Sequence, residues 1–275
     1  MESLTPDYIQ GHDVPESIYR ASPEWAASDL KYGIDNGLEA LYIRKFGENN
    51  PPRIATPAMK LGSMIHKFVL EPDDFSQSYA LLEEKRSKKG KELALACEEK
   101  GLLTYNSQDK ELLDSIEHSL VEDKFAWKYL LSKIKNKQGK AEQSFWWTHP
   151  TTGLPCKCRC DYVVDDTVID LKTCGEGGAS PDKFTKAIVN FKYHLAAAHY
   201  LQGTGAKRFI FIAVEKVFPY SVGIYQLSQS FINKGYELQE QTLQEILEAT
   251  KTKHWRGYTD ACPEGIQTLT PPKWI

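Results

Sequence analysis

The segment from residue 142 to residue 174 constrains the fold more than any other stretch of the sequence. It contains three stretches of β-forming residues, SFWWTHP, CKCRCDYVV and TVIDLKT, which are joined by the short turns TTGLP and Asp165-Asp166. Alternating stretches with such short connections are typical of antiparallel strands. The sequence therefore predicts three consecutive antiparallel strands, the last two joined by a two-residue hairpin turn.

The two-residue turn decides which residues face each other. If Asp165 and Asp166 are its central residues, Asp161 lies opposite Asp170. Directly opposed side chains have Cβ atoms only about 4.5–5.5 Å apart, so two carboxylates there repel each other unless a cation lies between them. Magnesium is the expected cation because it prefers oxygen ligands.

The charge pattern of the hairpin favours a functional site over an ordinary surface. Alternation places two acids and two bases on one face: Arg159, Asp161, Asp170 and Lys172. The other face carries a core-like set: Cys160, Tyr162, Ile169 and Leu171. Acid faces acid and base faces base in this register, whereas a solvated hairpin held by salt bridges would place acid opposite base. We therefore expect a site on the charged face.

The rest of the sequence supplies helices before the hairpin and mixed elements after it. Helices are predicted over residues 28–45, from Thr56-Pro57 to just before Pro72, and from Ser107. A helix from Ser180 to Gly203, the strands RFIFIAVEK and YSVGIYQLS, and a helix over residues 230–253 follow the hairpin. We expect an α/β fold, a mixed sheet flanked by helices. It would be one domain, 1–275, with a mainly helical region over residues 1–140, an α/β core over 141–253 and a C-terminal tail over 254–275.

Charge and cysteine content limit the function classes. The net charge of -3 and the pI of about 6.2 argue against a protein that coats nucleic acid by bulk charge. Positive charge would have to be local, as in the run that contains Lys85, Arg86, Lys88 and Lys89; a solvated loop or helix end is the other interpretation. No signal peptide or membrane-spanning apolar run is visible, so we expect a soluble cytoplasmic protein without disulfides.

Three motifs in order resemble the RecB-like PD-(D/E)XK nucleases, the family that includes the prophage recombination exonucleases. Asp161 followed by Ile169-Asp170-Leu171-Lys172-Thr173 is similar to the family's I-D-x-K-T signature. Gly62 and His66 match its G-x-x-x-H helix, and Tyr193 to Tyr200 resemble the helix after the active site. One departure is Ala196, which stands where many members have glutamine. The resemblance implies a PD-(D/E)XK nuclease core.

The resemblance also implies roles for individual residues. His66, Asp161, Asp170 and the Leu171 carbonyl would bind Mg²⁺, two ions per site with Mn²⁺ as a substitute, and Lys172 would orient or activate water. Glu142 resembles a family acidic position, with a surface carboxylate as the alternative. Candidate DNA contacts are Arg159, Tyr200, Lys85, Arg86, Lys88 and Lys89.

The function that the resemblance implies is a double-strand DNA exonuclease. It would act 5′ to 3′ as a homo-oligomeric ring on linear DNA and leave single-stranded DNA for an annealing recombinase. A non-catalytic DNA-end-binding module and a PD-(D/E)XK endonuclease are the alternatives.

The triplet Cys156, Cys158 and Cys160 needs separate consideration because some relatives carry an iron–sulfur cluster. Alternation puts these thiols on the face opposite Asp161. The remaining cysteines do not form the family's cluster pattern, and buried thiols need no ligand. We expect no iron–sulfur cluster.

Overall fold

A mixed sheet organises the chain. The computed structural model describes residues 9–11, 14–48, 54–84, 87–262 and 264–271. Its strands, in chain order, are β1 (Ile9–Gly11), β2 (Trp25–Ala26), β3 (Tyr79–Leu81), β4 (Leu103–Tyr105), β5 (Lys140–Thr148), β6 (Pro155–Val164), β7 (Thr167–Cys174), β8 (Arg208–Glu215) and β9 (Val222–Gln226). Across the described ranges, β3 and β4 form a small separate sheet, and the other seven strands form one sheet of order β1-β5-β6-β7-β8-β9, with β2 beside β6.

The strand directions confirm the mixed sheet. β5, β6 and β7 are successive antiparallel neighbours, as predicted, whereas β8 runs parallel to β7 and β9 antiparallel to β8. The pairing of β6 with β7 is Tyr162 with Ile169, Val163 with Val168 and Val164 with Thr167. This register confirms the turn at Asp165-Asp166, and Asp165 has the positive φ, 52°, that a two-residue hairpin turn requires. Asp161 is therefore the first residue beyond this recorded pairing.

Twelve α-helices are assigned in the described ranges of the chain. They are α1 (Glu16–Ala21), α2 (Ala27–Asn36), α3 (Leu38–Phe46), α4 (Pro57–Leu70), α5 (Pro72–Ser78), α6 (Lys88–Glu99), α7 (Ser107–Glu122), α8 (Lys124–Ala126), α9 (Ser132–Lys135), α10 (Pro181–Asn190), α11 (Tyr193–Thr204) and α12 (Gln229–Thr252). A π-helical turn, Trp127–Leu131, joins α8 to α9. Among the residues that the structure describes, no helix combines the length and the apolar character that crossing a bilayer requires.

The capping residues predict the start of one helix correctly, but two predicted helices are broken at positions that the sequence analysis did not identify. The Thr56 hydroxyl accepts a hydrogen bond from the Met59 backbone N–H at 3.2 Å, so α4 begins where predicted. The helices predicted over residues 28–45 and from Ser180 to Gly203 are each two helices instead. Gly37 (φ 84°) and Lys192 (φ 51°) have positive φ angles, which end one helix and redirect the next.

Two hydrophobic cores lie on the sheet. The first core joins Leu30 of α2 and Leu195 of α11 to Val168 of β7. The second core joins Ile65 of α4 and Ile116 of α7 to the neighbouring β7 residues Ile169 and Leu171. Since Val168 and Ile169 are adjacent on one strand, the two cores occupy opposite faces of the sheet.

The alternation of faces along β6 is interrupted at the candidate site. Cys160 packs in the first core and Tyr162 in the second, although residues two apart on a regular strand share a face. The prediction that Cys160 shares a face with Tyr162, Ile169 and Leu171 is therefore wrong. The physical reason lies on β5, where Glu142 has a left-handed φ of 50° and the recorded pairing with β6 skips Glu142 and Asp161. This interruption, which we call the seam, lies between the two cores.

Candidate functional site

Helix α4 places His66 next to the seam. Met64, Ile65 and Val69 anchor this helix in the second core, and His66 lies on its partly exposed side. Its Nδ1 atom lies 3.5 Å from Oδ2 of Asp161. Burial, and then the nearby Lys172, lower the pKa of His66, while Asp170 and Glu142 act in the opposite direction. The imidazole is therefore biased towards its neutral form, in which a ring nitrogen can bind a metal.

Asp161 lies where β6 and β7 part. The Leu171 backbone N–H donates a hydrogen bond to Oδ2 of Asp161 at 2.9 Å. Burial, followed by the charge of Asp170, raises the pKa of Asp161 to about 7, although Lys172 and the Leu171 hydrogen bond oppose this. Leu171 thus lies at the site, and a role for its carbonyl as a metal ligand stays a prediction.

Glu142 completes a cluster of possible ligands. One ligand atom each from His66, Glu142 and Asp161 lie within 4.8 Å of one another. Arg159 donates from Nε to Oε2 of Glu142 at 2.7 Å. Burial, and then Asp161, raise the pKa of Glu142, and Arg159 counteracts both. Glu142, for which the sequence left a surface carboxylate as the alternative, therefore belongs to a cluster of possible metal ligands.

Asp170 and Lys172 form a separate ion pair. Nζ of Lys172 contacts Oδ1 of Asp170, and it also lies 5.2 Å from the ring centroid of Tyr193 on α11. Burial lowers the pKa of Lys172, but the charges of Asp170 and Asp161 outweigh this and raise it overall. An ammonium group held in this way donates hydrogen bonds and neutralises negative charge.

The structure adds ion pairs to the predicted charge pattern. Arg159 binds Glu142 on β5, while Lys172 binds Asp170 on its own strand. Each base therefore has an acidic partner. Asp161, in contrast, has no basic side chain in direct contact among the described residues other than His66.

The donors at this site fit a divalent metal ion. Two carboxylates and one imidazole converge within 4.8 Å of one another. Both carboxylates have raised pKa values because burial and then a neighbouring carboxylate disfavour their charges; the neighbour is Asp161 for Glu142 and Asp170 for Asp161. A divalent cation between them would relieve that repulsion. Oxygen ligands with one imidazole suit Mg²⁺ or Mn²⁺. Asp170 borders the cluster and stays a proposed ligand.

The raised pKa of Asp161 makes the stability of the metal-free protein depend on pH. Between the ordinary value of 3.8 and about 7, the folded protein holds a proton that the unfolded chain has released. Rising pH across this window therefore destabilises the folded state, and the loss is complete above about 7. We expect Asp161→Asn, which stays neutral, to raise the melting temperature in EDTA more at pH 8 than at pH 5. An equal shift at both pH values, measured by differential scanning fluorimetry, would contradict the assignment.

The residues predicted to contact DNA lie in different places. Arg159 and Tyr200 line a cavity of about 630 Å³ next to Glu142. Lys88 and Lys89 are at the start of α6, and neither lines this cavity. Lys85 and Arg86 lie outside the described residues. A DNA contact by any of these residues stays a prediction.

The cysteine triplet is buried in the first core. Sγ of Cys158 lies 4.0 Å from Sγ of Cys160, and burial raises the pKa of Cys156 to about 12. The expectation that these thiols hold no iron–sulfur cluster stays a prediction.

Sequence reasoning missed one basic residue near the site. Lys31 on α2 also approaches the Tyr193 ring, with its Nζ 5.4 Å from the ring centroid. No motif marks this lysine, which depends on the packing of α2 against α11 for its approach to Tyr193.

A family model and one solved structure agree with this fold. Residues 37–267 match a family model described as a PDDEXK-like domain of unknown function (DUF3799). A crystal structure of a candidate exonuclease from Eubacterium rectale has a TM-score of 0.60 and 15% sequence identity, covering 95% of this chain and 96% of that one. A phage-related exonuclease from Haemophilus somnus reaches a TM-score of only 0.34 at 14% identity, covering 84% of this chain and 96% of that one. No curated protein matches the chain at a significant level.

The mixed sheet, its helical flanks and the acid-bearing hairpin agree with the PDDEXK-like fold that the family model describes. The chain belongs to the family of PDDEXK-like domains that its residues 37–267 match.

Proposed function

We propose that this protein is a divalent-metal-dependent exonuclease that degrades one strand of linear double-stranded DNA from 5′ to 3′. The convergence of His66, Glu142 and Asp161 beside the Lys172–Asp170 ion pair is the observation that carries the proposal. The family match to a PDDEXK-like domain supports it. The direction and the preference for duplex ends rest on the resemblance of the sequence motifs to prophage recombination exonucleases.

The proposal gives the side chains three roles: binding the metal ion, contacting water or phosphate, and orienting a metal ligand. His66, Glu142, Asp161 and Asp170 would hold Mg²⁺, or Mn²⁺ in its place, with two ions per site. A bound divalent ion supplies positive charge at the phosphate and makes water more acidic. The Lys172 ammonium donates hydrogen bonds to the attacking water or to phosphate oxygens, and Asp170 holds it in place. Arg159 fixes the orientation of Glu142 through their 2.7 Å contact.

The resemblance extends the proposal to partners. The single-stranded product would pass to an annealing recombinase, and several subunits would form a ring around the DNA. A ring would reconcile a net charge of -3 with retention of DNA, because basic residues could be concentrated in its channel.

One experiment separates the candidate functions. We expect the protein with Mg²⁺ to degrade a linear duplex, to release a 5′ label early and a 3′ label late, and to leave a closed circular duplex intact. EDTA should stop the reaction, and an Asp161→Asn preparation made in parallel controls for contaminating nucleases. Cutting of the circle would indicate an endonuclease. Binding of ends without cleavage would indicate a non-catalytic module, and early release of the 3′ label would reverse the proposed direction.

A further inference from the structure

Lys31 lies beside the proposed catalytic lysine, although no motif includes it. Its Nζ atom is 5.4 Å from the Tyr193 ring centroid, and Nζ of Lys172 is 5.2 Å from the same centroid. Two ammonium groups therefore share one aromatic ring at the edge of the candidate site. The charge of Lys172 acts unfavourably on that of Lys31, and an anion near both would relieve this repulsion.

Lys31 has no carboxylate partner among the described residues, unlike three other lysines near the site. Lys45 pairs with Asp29 at 2.7 Å, Lys192 contacts Asp35, and Lys172 contacts Asp170. In the ranges that the structure describes, Lys31 forms no such ion pair. Burial, and then the charge of Lys172, lower the pKa of Lys31 to about 8. A half-buried ammonium without a counter-charge loses part of its hydration with nothing to replace it, so an ion pair within the protein does not explain this position.

The cavity in front of Lys31 is large enough for a portion of a nucleotide. Its volume is about 630 Å³, and it extends from Lys31 to Glu142 of the candidate metal cluster. Six basic and three acidic side chains line it. Lys157 is bound to the backbone oxygens of Tyr19 and Ser22, and Arg159 to Glu142, so their charges are already engaged. Lys31 is thus a basic group in the cavity that remains available to an anion.

We propose that Lys31 binds a phosphate group of the DNA strand that enters the candidate active site through this cavity. This inference rests on the proposed function and deepens it by naming a substrate contact. Lys31 acts as a binding residue beside Lys172, and the charge of the phosphate replaces the carboxylate that Lys31 lacks.

The test measures DNA binding separately from cleavage. We expect Lys31→Met to weaken binding of a short fluorescent duplex in EDTA by about tenfold. It should also flatten the slope of log affinity against log salt by about 0.9, the contribution of one phosphate contact. Lys31→Arg should keep the parental slope because it retains the charge. Lys251→Met removes an exposed lysine from α12 and serves as the matched control, with no change expected.

A second measurement excludes a purely structural role. Because Lys31 is half-buried and has no carboxylate partner among the described residues, removing its charge should leave the melting temperature of the metal-free protein unchanged or raise it. A lower melting temperature of Lys31→Met together with an unchanged salt slope would show that Lys31 only packs against Tyr193, and would overturn the inference.

The outcomes for Lys31 and for the nuclease activity are distinguishable. If the parent protein cleaves DNA and Lys31→Met keeps the full salt slope, the Lys31 inference fails and the proposed function stands. If the parent binds DNA without cleaving it, the proposed function fails, and a flatter slope for Lys31→Met still supports the phosphate contact. If the parent does not bind DNA, both fail.

Discussion

Asp161→Asn is expected to lower the single-turnover rate of DNA cleavage by at least about a thousandfold, equivalent to about 4 kcal/mol of transition-state stabilisation. The substitution keeps the size of the side chain but removes the charge that lies within 4.8 Å of ligand atoms on both His66 and Glu142. The increase in melting temperature on adding Mg²⁺ should shrink at the same time, because a ligand that binds only the folded state stabilises it more when its affinity is higher.

A matched control variant shows whether the loss of cleavage is specific to Asp161. Asp114→Asn makes the same chemical change in an exposed ion pair with Lys110 on α7 and should leave cleavage unchanged. Circular dichroism should show the parental fold in both variants. Near-parental cleavage by Asp161→Asn at saturating Mg²⁺ would remove Asp161 from the site.

Lys172→Met is expected to lower cleavage by about 100- to 10,000-fold while preserving the response to Mg²⁺, since proton transfer and charge stabilisation by one side chain have this magnitude. The variant leaves Asp170, which is only 6% exposed, without its ion-pair partner. Breaking a buried pair costs about 3–5 kcal/mol, so the melting temperature of the metal-free protein should fall. Added Mg²⁺ should recover some of the loss by neutralising the carboxylates.

A second lysine, which pairs with a residue of the hairpin turn, supplies the control for Lys172→Met. Lys207 pairs with Asp166 of the turn at 3.5 Å, but the lysine side chain is 80% exposed. Lys207→Met should therefore change neither the melting temperature nor cleavage appreciably. A Lys172→Met protein that cleaves DNA like Lys207→Met would show that Lys172 has no role in the reaction.

The sequence alone predicts those features of the site that depend on local geometry. The turn at Asp165-Asp166 sets the register of β6 and β7, and the Thr56 cap sets the start of the helix that carries His66. Both follow from a few adjacent residues, since turn and cap chemistry is short-range.

The features that the sequence does not predict depend on distant contacts. The pairing of Trp25 with Cys156 brings β2 into the sheet, and no local pattern reveals it. The left-handed backbone of Glu142 interrupts alternation, and a strict period of two cannot anticipate this interruption. Lys31 reaches Tyr193 only across packed helices. The β2 pairing supports the proposal of one nuclease domain rather than a separable helical unit.

The seam has a consequence for motion as well as for chemistry. His66 comes from a helix of the second core, whereas Asp170 and Lys172 share the β7 face of Val168 in the first core. Small relative displacements of the two cores would change the spacing of these side chains first. A metal ion bound by both His66 and Asp170 would link the two cores. Backbone amides on both sides of the sheet would then exchange more slowly with solvent deuterium when the ion is bound.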